Sequence, residues 1–99
     1  MRRRLIWSAP ALRDLDDIFD YLAARNVRAA FDVVERIRGR ARSLIEHPNA
    51  GRMGRLAGTR ELVVGDLPYV LPYRVTAAGV EIVRVLHGAR KWPPQVDGH

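Results

Sequence analysis

The sequence predicts a single α+β domain in which a two-helix hairpin packs on an antiparallel sheet, in the order βααβββ. Three observations predict it. Two stretches with apolar residues at three- and four-residue steps follow each other early in the chain. Three short runs rich in β-branched and aromatic residues come after them, separated by turn residues. The length, 99 residues, suits one domain with one core, burying roughly 65% of the surface of the unfolded chain.

The first strand is expected at Arg3 to Trp7, apolar at Leu5, Ile6 and Trp7, closing on Ser8-Ala9-Pro10. Ser8 can cap a helix, and Pro10 suits a first turn, where its missing amide costs nothing. From Ala9 to about Arg25, Leu12, Leu15, Ile18, Phe19 and Leu22 form one apolar stripe. Asp14, Asp16, Asp17 and Asp20 fall beside or opposite it and read as a solvated face rather than metal ligands. A second helix is expected from about Arg28 to His47, with Ala30, Phe31, Val34, Ile37, Ala41, Leu44 and Ile45 on its stripe. Pro48 ends it. Gly39 inside it suggests a close helix crossing or a slight bend. The short link at Asn26 and Val27 forces the helices antiparallel.

A glycine-rich loop runs from Pro48 to Gly58, and three strands follow at Thr59 to Val64, Tyr69 to Val75 and Val80 to His87. The last is apolar on both faces and so belongs at the centre of the sheet. Pro68 and Pro72 place part of the middle strand at an end, a bulge or an edge. Tyr69 and Tyr73, four apart, share a face. Residues from Pro93 onward have little to bury and are expected to fray.

Hydrophobic residues make up 47% of the chain, which argues against disorder, and no apolar run approaches the roughly 18 residues of a membrane span. Arg2-Arg3-Arg4 begins like an export signal, but the apolar stretch stops at Ser8. With no cysteine there is neither a disulfide nor thiolate chemistry, and the expected location is the cytoplasm. His47, His87 and His99 are too scattered for a metal site, so neither metal nor cofactor is expected.

Net charge is +6, from 17 basic and 11 acidic residues. Between Arg36 and Arg60, seven arginines face Glu46 alone, and this local excess matches the net charge of the whole chain. Such a stretch favours an acidic protein or a nucleic acid as partner. The plainer alternative is a solvated arginine face, since all but one of the basic residues are Arg.

The run Gly58-Thr59-Arg60-Glu61-Leu62-Val63-Val64, then Pro68-Tyr69-Val70-Leu71-Pro72-Tyr73-Arg74-Val75, closing with Leu86-His87-Gly88-Ala89-Arg90, carries a resemblance. With Trp7-Ser8, Asp14-Leu15 and the His47-Pro48-Gly51-Arg52 loop, the chain resembles the RelE/ParE toxins of bacterial type II toxin–antitoxin systems, and looks closest to the ParE-like, "plasmid stabilization" branch. The resemblance implies a growth inhibitor silenced by a cognate antitoxin from the adjacent gene, in a toxin–antitoxin hetero-oligomer. In the ParE branch it implies poisoning of DNA gyrase; in the RelE branch, cleavage of ribosome-bound mRNA. Where RNA-cleaving relatives often carry Arg in a strand motif like Arg-Leu-Val-Tyr, this chain has Val70-Leu71-Pro72-Tyr73, and Val96 falls near their later Tyr. Gyrase inhibition is therefore the first reading. A ribosome-dependent endoribonuclease is the alternative, with Arg60, His87 and Arg90 as its candidate groups. A basic nucleic-acid-binding domain is the further alternative. Target or partner binding is assigned to Arg60, Arg74, Arg84, His87, Arg90, Lys91 and Trp92, and antitoxin binding to Arg36, Arg40, Arg52 and Arg55.

Overall fold

A computed structural model describes residues 3–88 together with Trp92 and Pro93. Arg90, Lys91 and the tail beyond Pro93 lie outside the described residues. The elements run β1 (Arg4–Trp7), α1 (Ala9–Ala23), α2 (Val27–Glu46), β2 (Arg52–Met53), β3 (Arg60–Val63), β4 (Tyr69–Val75), β5 (Gly79–Ile82) and β6 (Leu86–His87). Two helices thus lie on one sheet of order β1-β5-β4-β3-β2, with β6 also paired to β4.

Ser8 starts the hairpin as the sequence implies. Its Oγ accepts from the Ala11 N–H at 3.1 Å and donates to the Val83 carbonyl at 2.7 Å, so the residue that caps α1 also ties it to the sheet. Asn26 caps α2 in the same manner, accepting from Ala29 at 3.0 Å. The core gathers Ala11 and Leu15 of α1 and Ile37, Ala41 and Leu44 of α2 over Leu62, Leu71, Tyr73, Val80 and Ile82 of the sheet.

Four expectations need correction. The sheet is mixed, because β1 pairs parallel to β5. A parallel neighbour requires a long crossover, and the whole helical hairpin with three strands supplies it, which short-turn signals cannot reveal. Gly79, at φ +151°, makes the pairing possible, since a Cβ there would land on the Arg4 carbonyl. Secondly, the run Val80 to His87 is not one strand. Four steps along β4, from Tyr69 to Tyr73, oppose five from Ile82 to His87, so a β-bulge interrupts the run between β5 and β6. Pro72 lies opposite the interruption, accepting from the Val83 N–H at 2.8 Å. Thirdly, Leu12 and Phe31 stand on the outer rim of their stripes and are exposed. Phe31 meets Phe19 edge-on with centroids 5.0 Å apart. Finally, Gly39 marks no close crossing: a Cβ there would meet only the Arg42 guanidinium, at 3.7 Å.

Candidate partner interface

Asp14, expected on a solvated face, is buried. Residue 14 falls in phase with Ala11, Leu15 and Ile18, so α1 turns it inward with them. Its carboxylate receives Arg84 Nε at 2.7 Å and Nη2 at 3.0 Å, and the Val85 N–H at 2.8 Å. The bulge makes this possible, aiming both an arginine fork and a backbone amide at the helix. The hydrogen bonds to Asp14 raise the Arg84 pKa, against a smaller opposing effect of burial. Arg84, assigned to partner binding, is therefore committed to the chain's own fold.

Arg60 is committed as well. It sits opposite Tyr73 on β3 and donates to the Gly51 carbonyl at 2.8 Å. Tyr73, buried beside it, donates to the Pro48 carbonyl at 2.7 Å and accepts from the Gly51 N–H at 2.8 Å, which pins the loop after α2. On the other face of β3 the Glu61 carboxylate is buried. It takes the Arg55 backbone N–H at 2.9 Å, the Arg55 side chain at 3.0 Å and Arg52 at 3.3 Å. Burial pushes its pKa up, but the bonds from Arg55 and Arg52 outweigh this and hold it below the ordinary 4.5.

Arg36 pairs with Asp66 and holds its carboxyl below the usual range. Arg40 donates to the Val63 carbonyl at 3.0 Å. All four arginines assigned to the antitoxin thus bond within the chain, yet each remains exposed to a partner. Arg74 lies on the sheet face away from the helices, 4.0 Å from Glu81.

At the opposite end of β4, His87 pairs with Tyr69 across β6 and meets its ring edge-on at 6.0 Å. Burial raises the Tyr69 pKa, with Tyr21 adding to the effect. Both rings line a cleft of about 430 Å³ between α1 and the β4–β6 end of the sheet. Trp92 is half-buried with the Arg84 guanidinium 5.7 Å from its ring centre. Sequence reasoning missed Asp14, Glu61 and this cleft. The one available signal was an acid in phase with an apolar stripe.

The two candidate nuclease groups among the described residues, Arg60 and His87, are not brought together. Arg60 and His87 flank β4 on opposite sides, Arg60 opposite Tyr73 and His87 opposite Tyr69. Four residues of strand separate them by about 13 Å, and two strand spacings add about 10 Å across. Arg90 lies outside the described residues.

Residues 5–92 match the family model of the ParE toxin of the type II toxin–antitoxin system parDE. The chain is 45% identical over 92 residues to a candidate toxin, Y4kP, of Sinorhizobium fredii, covering 93% of this chain and 95% of the relative. It is 41% identical over 87 residues to toxin RelE2 of Caulobacter vibrioides, covering 88% and 97%. Among solved structures it is similar to the chromosomal ParDE system of P. aeruginosa, with a TM-score of 0.78 and 28% identity over 87% of this chain and 96% of that one. The E. coli DinJ–YafQ toxin–antitoxin complex shares the fold, at a TM-score of 0.60 and 14% identity over 90% and 96%. A helical hairpin locked to a bulged mixed sheet, matched from β1 to Trp92, belongs to the ParE/RelE family, and this chain is a toxin of a type II toxin–antitoxin system.

Proposed function

We propose that this toxin arrests growth by binding DNA gyrase, and that a cognate antitoxin silences it in a hetero-oligomer. One observation carries the choice of a binding mechanism over RNA cleavage: Arg60 and His87 sit on opposite flanks of β4, and Arg60 is tied to the Gly51 carbonyl. Cleavage through a 2′-hydroxyl needs a base, an acid and charge stabilisation converging on one phosphate. Groups placed two strands apart cannot do this together. The family match, to a ParE toxin, supports the same reading.

The antitoxin is proposed to dock by the two routes this fold offers. β1 ends the sheet, and its outer edge can accept an added strand. The exposed arginines of α2 and the loop after it suit an acidic helix. A similarity to a RelE2-named protein keeps an mRNA endoribonuclease as the second reading. Purified toxin should inhibit gyrase supercoiling and leave ribosome-bound mRNA intact. Cleavage of mRNA without any effect on gyrase would replace the first reading with the second.

A further inference from the structure

The cleft between α1 and the far end of β4 differs in chemistry from the rest of this basic chain. It is lined by the apolar Ile18, Pro68 and Val85 and by the rings of Tyr21, Tyr69 and His87. Asp14 contributes no net charge, because its carboxylate is spent on Arg84 and the Val85 amide. Asp17 is exposed at the cleft, and its carboxylate and the Tyr69 hydroxyl accept no hydrogen bond from any described residue. The cleft therefore offers one carboxylate not spent within the fold, at Asp17, beside aromatic rings and apolar side chains, within a protein of net charge +6.

That combination selects a cation with a flat face and an apolar stem. A guanidinium stacks on a phenol ring and forks a carboxylate, while its methylenes cover apolar surface. The chain shows the first of these contacts at the same place: Arg25 lies 4.6 Å over the Tyr21 ring. We propose that this cleft binds an arginine side chain presented by a protein partner, held by Asp17 and stacked on Tyr69. Arginine is among the residues that dominate interface energetics, and a cleft of this volume admits it with its adjoining backbone. The partner's surface would then be of mixed sign, with acids facing the arginines of α2 and a basic anchor here. The inference holds for any protein partner and does not rest on gyrase being the target.

The test is a ¹H–¹⁵N NMR titration of the full chain with three probes: N-acetylarginine amide, N-acetylleucine amide and guanosine 5′-monophosphate. The arginine probe should shift the amides of Ile18, Tyr69 and Val85. Asp17→Asn should weaken it at least about fivefold, and Tyr69→Phe should weaken it less, since the ring remains. Asp17 is exposed, so its replacement leaves the fold intact, which the undisturbed spectrum verifies. An equal response to the leucine probe would make the cleft merely apolar. A stronger response to the nucleotide would make it a base-binding site. Either outcome, or an arginine response that Asp17→Asn leaves unchanged, overturns the proposal.

Discussion

Asp14 receives three donors from two consecutive residues of the bulge, and it is the only link of this kind between α1 and the sheet among the described residues. Removing the carboxylate strands the Arg84 guanidinium and the Val85 amide together. Loss of one partner of a buried pair costs roughly 3–5 kcal/mol, and Arg84 keeps 20% of its side-chain surface in water, which places Asp14→Ala at the low end, about 3 kcal/mol. For a chain of this size that is a fall in Tm of about 12–24 °C, against almost none for Asp17→Ala one turn later. Parallel thermal melts check it, and equal Tm values for the two variants would show that the carboxylate does not hold the helix. Glu61 makes a second residue-scale prediction. Its folded pKa lies below its ordinary 4.5, so its stabilising effect is complete above that value and is lost as pH falls through the lower, folded one. Urea unfolding midpoints should therefore drop with acidification below about pH 4.5, and Glu61→Gln should flatten that part of the curve.

The elements divide by how their causes are distributed along the chain. Helix starts, the hairpin and the extent of β4 were legible because each depends on residues a few positions apart: Ser8 before Pro10, Asn26 before Val27, Tyr69 alternating with Leu71 and Tyr73. What was hidden depends on distant partners. The parallel pairing of β1 needs β5, and the bulge shows only in the offset of β6 against β4. The inward turn of Asp14 becomes favourable only because Arg84 waits seventy residues away. The same distinction explains why the α2 stripe was right at its centre and too wide at its rim. Ile37 is fully buried between hairpin and sheet, whereas Phe31 is 58% exposed and covered chiefly by Phe19. Ile37→Ala should lower stability by about 2–5 kcal/mol, and Phe31→Ala by about 1 kcal/mol or less. Chemical denaturation of both variants checks the phase of α2. Reversed magnitudes would mean that the helix is rotated on the sheet.

The molecule as a whole is bipolar. Residues 14–35 hold Asp14, Asp16, Asp17, Asp20, Asp32 and Glu35 against Arg25 and Arg28, while residues 36–60 hold seven arginines against Glu46 alone. The boundary falls inside α2, so the closed end of the hairpin is acidic and its open end, with the adjoining loop, is basic. Such a separation acts at a distance before any contact forms, orienting an approaching partner and raising its association rate. Internal pairing with Glu61 and Asp66 does not abolish it, since the shared carboxylates are fewer than the arginines around them. Arg42 tests the effect without disturbing structure, because it is exposed and has no hydrogen-bond or ion-pair partner among the described residues. Against an antitoxin with an acidic helical tail, Arg42→Glu should lower the association rate several-fold and leave dissociation nearly unchanged, and Asp32→Arg should raise association. Both effects should shrink together as salt rises, since the Debye length falls from about 10 Å at 0.1 M to about 3 Å at 1 M. Stopped-flow kinetics across a salt series separates the two rates. A change confined to dissociation would place Arg42 in the bound interface itself, and a rate indifferent to salt would remove steering from the account of how this toxin meets its antitoxin.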